Sequence, residues 1–226
     1  MSDTHLKRSS WELKKHVGAM HSSSHLTLIQ RKLANALLFN AYDCLLTREE
    51  HQINIPSLCK LIGYNSKDYA LIKKALVGLI STVVEWNLVD KHKNGEEGGV
   101  WNASSIIADA SIEGSVCTYS YSRKMRELLY RPEIYGCLNM YVQAKFKSSY
   151  GLALYENCIR YQNISKTPWF KMAIFRKLMG VDPGKYSTFR DFNKRVLKIG
   201  ISEVNAYSPI FIEVNLRKEN GKVTAL

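Results

Sequence analysis

The chain has 226 residues, 46% of them hydrophobic and 23% charged, with only 5 Pro and 13 Gly. That composition excludes a collagenous, low-complexity or disordered chain, and the length suffices for one large domain or two small ones with cores of their own. A net charge of +12 and a pI of 9.4 point to a polyanionic partner.

The charge is uneven. Up to Tyr130, 16 Lys and Arg face 13 Asp and Glu; beyond it, 16 face 7. The C-terminal half is therefore expected to hold the polyanion more strongly. Cys44, Cys59, Cys117, Cys137 and Cys158 are odd in number, widely spaced and never in a CxxC pair. Buried thiols in a reducing compartment fit that pattern better than disulfides or a zinc site. The N-terminal stretch has no apolar core of signal-peptide length, and no run approaches the roughly 18 apolar residues of a membrane span. A cytoplasmic protein with no membrane contact is expected.

Residues 1–24 are polar and rich in Ser and His, and read as a flexible N-terminal arm. From Thr27, Ile29, Leu33, Leu37 and Ala41 recur at helical spacing. "IPSLCKLIG" predicts a short helix with Pro56 in its first turn and Gly63 closing it, and "KDYALIKKALVGLIS" predicts a second. The stretches "STVVEWNLV", "GVWNASSIIADASI" and "SVCTYSYS" read as strands, broken by the turn signal "KNGEEGG". Three helices followed by a hairpin is the order of a winged helix, assigned to residues 25–131.

A second pass starts at Pro132 and covers residues 132–226. Helices are predicted in "SSYGLALYENCIRYQ", in "PWFKMAIFRKLMG" and from Lys185 through Asn205. Ile210, Ile212, Val214 and Leu216 alternate like a strand, and Asn220-Gly221 offers a hairpin turn. "KLIG" at 60–63 matches "KLMG" at 177–180, and Tyr69 matches Tyr186 in the same register. One residue of slippage later, Leu79, Glu85 and Asn87 match Leu197, Glu203 and Asn205. The fold class expected is α+β, two tandem winged-helix domains related by internal duplication.

The most telling stretch is "KYSTFRDFNKRVLKIG", residues 185–200. On a helical wheel Phe189, Phe192, Val196 and Ile199 share an arc of about 80°, and Arg190, Lys194 and Lys198 share an arc centred opposite. One face is core and the other a cationic ridge, flanked by Asn193 and Arg195, with Asp191 the nearest acid. In a helix-turn-helix arrangement this second helix lies in the DNA major groove, where Arg and Lys donate to guanine and Asn pairs with adenine. Lys185, Ser187 and Thr188 at its start would meet phosphates, and Arg217, Lys218 and Lys222 would touch the backbone from the wing. In the first half Lys67, Lys73 and Lys74 are the counterparts, with Asp68 alongside. Two readings stand for that helix: direct DNA contact, or a structural or dimer-forming role with at most phosphate contacts.

No GxxxxGK[ST] is present, "HSSSH" does not supply a nickase histidine pair, and the only His-x-x-Arg lies in the N-terminal arm. No catalytic residue, metal ligand set or cofactor site is expected, so the chain does not read as an enzyme. Trp86, Trp101 and Trp169 read as core.

Several blocks, taken in succession, resemble the replication initiator family of iteron-containing plasmids, whose members carry two tandem winged-helix domains. "LTLIQRKLANALLFNAY", "IPSLCKLIGYNS", "LIKKALVGLISTVVEWN" and "YSRKMRELLYRPEIYGCLNMYVQAKFKSSYGLALYE" are similar to the first-domain pattern and the entry to the second. "KYSTFRDFNKRVLKIGISEVNAYSP" resembles the second-domain recognition helix and its Glu-Val-Asn segment. The resemblance implies a protein that binds direct repeats in double-stranded DNA at a plasmid origin, promotes strand opening, and recruits the host replication initiator and helicase. It also implies a homodimer in equilibrium with monomer, with autorepression by the dimer. The first domain would hold the dimer interface and auxiliary DNA contacts, and the second would make the main contacts. Asn193 stands where the family often has arginine. The alternatives left open are a transcriptional repressor without an initiation role and a basic module that binds RNA or an acidic protein.

Overall fold

The computed structural model of the chain describes residues 11–16, 25–65, 69–86, 102–130, 135–164 and 166–226. Helix α1 (Leu28–Ala41) starts at a reciprocal cap in which the Thr27 hydroxyl accepts from the Gln30 amide and the Gln30 side chain accepts from the Thr27 amide. Leu33, Ala36, Leu37 and Leu38 are buried along it, and so are Arg31, Lys32 and Asn35. This helix is therefore covered on nearly every side. Strand β2 (Glu50–Asn54) leads directly into α2 (Ile55–Ile62), with Pro56 in the first turn, and α3 (Tyr69–Ser81) follows. Strand β3 (Val83–Trp86) pairs antiparallel with β4 (Asn102–Ser105). The expected turn "KNGEEGG" lies outside the described residues. Strands β5 (Asp109–Glu113) and β6 (Val116–Ser120) join β2 in a sheet of order β2-β6-β5.

The second half follows as α4 (Arg123–Tyr130), β7 (Tyr135–Asn139), α5 (Met140–Lys145), α6 (Ser149–Cys158) and α7 (Met172–Leu178). One continuous helix then covers residues 189–207, as α8 (Phe189–Phe192), a π turn (Asn193–Leu197) and α9 (Lys198–Tyr207). Strands β8 (Arg217–Glu219) and β9 (Lys222–Ala225) form the last hairpin, turned by Asn220 and Gly221, both at positive φ. Phe170 and Leu226 exchange two backbone hydrogen bonds, so the residues just before α7 bridge to the edge of this hairpin. Strand β2 stands in the same place before α2. Helix, strand, two helices and hairpin thus occur twice.

The duplication shows in backbone geometry. Gly63 and Gly180 both have a φ of 66. In each case the next amide reaches back to close the helix, Tyr64 to the Cys59 carbonyl and Val181 to the Arg176 carbonyl, a six-residue αL closure that favours glycine. Of the later identities, Leu79 and Leu197 are both buried in the helix, Asn87 lies outside the described residues, and the glutamates do not correspond. Glu85 lies in strand β3 whereas Glu203 lies in α9, because the second copy's helix runs on past the point where α3 stops.

Residues 12–16, expected to belong to a flexible arm, form strand β1 (Glu12–His16), which pairs antiparallel with β7 from Glu12↔Asn139 to His16↔Tyr135. Leu13 is 0% exposed and Trp11 packs against Phe39 and Tyr141. The strand was hidden because its second inward residue is a lysine. Lys15 is buried and its Nζ donates to Asn35 Oδ1 at 2.9 Å and to Glu156 Oε2 at 3.5 Å, while Arg31 Nη1 donates to the same Glu156 oxygen at 3.0 Å. Burial would raise the Glu156 carboxyl, but Lys15, Arg31 and Asn35 outweigh it and hold it below its ordinary value. The expected boundary at Pro132 lies outside the described residues. Beyond it, β7 pairs with β1 and α5 packs near α2, where Gly63 lies close to the Ala144 carbonyl. Residues 135–145 therefore associate with the first half.

All five cysteines are free thiols. Burial pushes Cys117 up to about 11 and Cys158 up to about 12, which makes both poor nucleophiles. Among the described residues, no helix is long and apolar enough to cross a membrane.

Candidate nucleic-acid interface

The turn between α7 and α8 is fixed from below by one side chain. Arg176, on α7, donates to the Tyr186 carbonyl at 3.0 Å and to the Lys185 carbonyl, and its guanidinium lies 5.0 Å from the Phe192 ring centroid. That grip holds Tyr186 at a φ of 51, a region costly for a residue with a bulky side chain. Tyr186 in turn meets the Tyr150 ring edge-on, and burial together with their hydrogen bond pushes the Tyr150 hydroxyl up to about 12.

Thr188 caps α8. Its hydroxyl accepts from the Asp191 amide at 3.1 Å and donates to the Asp191 carboxylate at 2.7 Å. Thr188 therefore has a capping role, and Asp191 is the cap's other half. Lys185 is not free either. It pairs with Asp182, which also sits 3.0 Å from His25, and the Lys185 ammonium holds the Asp182 carboxyl below its ordinary value. Ser187 is exposed.

Beyond the cap the helix separates into two faces. Phe192, Val196, Leu197, Gly200 and Val204 are buried, with Phe192 packed edge-on against Phe175. Arg190, Lys194, Arg195 and Lys198 are exposed, and Asn193 is half-buried between them. One expectation fails: Ile199 is 40% exposed and Leu197 is buried in its stead. The cause is the π turn, in which the Lys198 amide bonds to the Asn193 carbonyl five residues back. The wider turn takes up one more residue, so the inward line becomes Phe192, Val196, Gly200 and Val204. The cations stand two residues before the first three of these, roughly 200° around the helix. Their outward aim therefore survives the change.

Two residues of the Glu-Val-Asn segment lock this helix to its surroundings, and the third fills the core. Glu203 accepts from the Lys147 and Ser148 amides at 3.2 and 3.1 Å, capping the start of α6. Val204 is buried. Asn205 donates to the Ile212 carbonyl at 3.1 Å and accepts from the Ile212 amide at 2.8 Å. That side chain acts as a strand partner for the segment 209–216, which alternates apolar residues yet forms no strand of its own.

The wing carries Arg217, Lys218 and Lys222, all exposed. Trp169, expected in the core, is 48% exposed, and the Arg217 guanidinium lies 4.8 Å from its ring centroid. Lys166 and Lys171 are exposed in the same segment, which bridges to the edge of the wing. These residues were missed because "SKTPWFK" reads as the approach to a helix; the flanking lysines and Pro168 were the available signal. In the first half Lys73 and Lys74 are exposed on α3, and Lys67 lies outside the described residues. Leu71 and Val77 are also exposed there, so the first copy presents a mixed surface where the second presents cations.

A family profile described as "Initiator Replication protein, WH1" matches residues 12–159, and one described as "Initiator Rep protein, WH2" matches residues 171–226. The chain belongs to the initiator replication protein family. Its two winged-helix domains correspond to the two copies described above, except that α6, the helix that opens the second copy, falls within the first profile. The first profile begins at β1, in agreement with the pairing of that strand into the fold, and runs through α6. Among solved structures, the chain is similar to the Pi initiator protein, crystallised in complex with iteron DNA, with a TM-score of 0.74, 16% identity, and coverage of 96% of this chain and 95% of that one. A second solved structure, of domains 2 and 3 of RctB, matches with a TM-score of 0.47 and 12% identity over 88% of this chain and 79% of that one. Nothing among curated protein sequences matches.

Proposed function

We propose that this replication initiator binds double-stranded DNA carrying direct repeats at a plasmid origin, and that the 189–207 helix of its second domain reads the major groove. The observation that carries the reading is the separation of faces on that helix: Arg190, Lys194 and Lys198 point outward, opposite a buried line of Phe192, Val196 and Gly200. Three like charges at i, i+4 spacing repel one another in isolation, and a polyanion relieves that cost. Asn193 and Arg195 flank the ridge with the donors and acceptor that adenine and guanine edges match. Backbone amides at the start of α8, Ser187 and the wing cations hold phosphates and fix the register. The first domain adds weaker backbone contacts through Lys73 and Lys74 and carries the dimer interface. Bound at the origin, the protein opens the adjacent duplex and recruits the host initiator and helicase; as a dimer it represses its own promoter. It acts by binding, without a catalytic step, in the cytoplasm where the plasmid resides.

The test is affinity for a duplex containing the repeats of its own origin against an unrelated duplex, over a salt series. Specific binding should exceed non-specific binding by about 10³-fold or more, with log affinity falling linearly against log salt. Equal affinity for the two duplexes at moderate salt refutes the reading. Plasmid replication restored by the intact gene, and lost with Lys194→Ala, separates initiation from repression alone.

A further inference from the structure

Beneath α1 lies a cavity of about 50 Å³, lined by Lys15, Arg31, Asn35 and Tyr121 and walled by apolar side chains such as Leu38 and Val84. Two of its polar groups have no partner among the described residues: Arg31 Nε and the Tyr121 hydroxyl are both buried and unsatisfied. Such groups cost free energy unless something accepts from them. Among the described residues the local charge is also unbalanced. Lys15 and Arg31 bring two positive charges, and Glu156 is the acid that pairs with both. The Glu156 oxygens are already occupied by Lys15, Arg31 and Asn35.

We propose that this cavity binds one small monovalent anion, of chloride to nitrate size, coordinated by Arg31 Nε, the Tyr121 hydroxyl and the Lys15 ammonium. Size and charge both select it. By the same measure a single water needs about 10–15 Å³, so the space admits an ion of one to a few heavy atoms. One uncompensated positive charge matches a monoanion, whereas a divalent sulfate or phosphate would reverse the imbalance among apolar walls that cannot solvate it. Desolvation and the neighbouring Arg31 hold the Lys15 ammonium below its ordinary value, opposed by Glu156, as expected of a cation whose second counter-ion is missing. The site ties strand β1 to α1 and α6, so its occupant would stabilise the docking of the N-terminal strand.

The experiment is thermal unfolding of the full chain at constant ionic strength while sodium gluconate is replaced stepwise by sodium chloride. The melting temperature should rise and saturate with chloride. Lys15→Met leaves Arg31 and Glu156 balanced, and should fold and lose the chloride dependence; Tyr121→Phe, the milder change, should shift the midpoint to higher chloride. A crystal grown in bromide should show an anomalous peak within hydrogen-bond reach of Arg31 Nε. The same melting temperature in both salts, a chloride dependence that Lys15→Met retains, or water in the cavity of the bromide crystal would overturn the proposal.

Discussion

Gly151 sits in the first turn of α6 directly beneath Glu203, and its replacement by alanine measures how firmly the 189–207 helix is held. A Cβ at this position would lie 2.1 Å from Glu203 Oε2 and 3.0 Å from Phe146 Cδ1. The Phe146 ring is buried and stacked on Tyr155, so the carboxylate must be the group that withdraws. In doing so it surrenders its bonds to the Lys147 and Ser148 amides. Two hydrogen bonds to a charged acceptor, partly replaced by water, are worth about 2–4 kcal/mol, and alanine returns about 1 kcal/mol of helix propensity. Gly151→Ala should therefore destabilise the protein by about 1–3 kcal/mol, lowering the melting temperature by roughly 2–12 °C for a chain of this size. Circular dichroism during thermal and urea unfolding reads the effect. In a Glu203→Ala background the same substitution should cost at least about 1 kcal/mol less, because the cap it displaces is already gone. A Gly151→Ala protein as stable as the parent, or an equal cost in both backgrounds, would refute this account of the contact.

Replacing Arg190, Lys194 and Lys198 together with alanine should lower the slope of log affinity against log salt by about 2.7, if each neutralises one phosphate, while leaving thermal unfolding unchanged; an unaltered slope would remove the ridge from the interface. Asn205→Ala removes both hydrogen bonds to Ile212 and should cost about 1–2 kcal/mol, with faster amide exchange confined to the segment leading into the wing. Glu156 is held below its ordinary carboxyl value, so the stability it contributes is complete above its unfolded value of 4.5 and is lost as pH falls through the lower folded value. Glu156→Gln should flatten that acid limb and, at neutral pH, cost about 3–5 kcal/mol by leaving Lys15 and Arg31 without their counter-ion; a variant with the parent's acid profile would contradict the assignment.

The features legible in the sequence were those written in period and in turn chemistry. Gly63 and Gly180 marked helix ends, Asn220-Gly221 marked a hairpin, and Phe192 with Val196 marked a buried face, because each rests on local geometry that one residue type satisfies best. What was not legible depended on distant partners. Lys15 turns inward only because Glu156, far along the chain, is there to meet it, so β1 looked like a loose polar arm. Glu50–Asn54 hides its strand in the same manner, with His51 as one of its two inward residues. The alternation from Ile210 to Leu216 predicted a ladder, but the pairing is made by the Asn205 side chain. Trp169 looked like core until an arginine from the hairpin was found over its exposed ring. At the site the three ridge cations kept their aim, while Lys185 and Thr188 proved to be engaged by neighbouring acids that their type alone does not disclose.

The π turn at Asn193–Leu197 has a consequence for how such a helix can change over evolution. In an uninterrupted α-helix every residue's direction is geared to every other's, so any insertion that re-aims the cationic side also turns the side that rests on α6. Here the two ends lie on separate screws joined by a washer of one residue. The Thr188 cap governs the phase of Arg190, and the Gly200 contact with Leu154 governs the phase of α9. Losing the extra residue would turn the first turn, its Thr188 cap and Arg190 together by about 100° relative to α9. The π turn thus lets the capped first turn and the α9 packing each keep its own phase, where a regular helix would force one to follow the other.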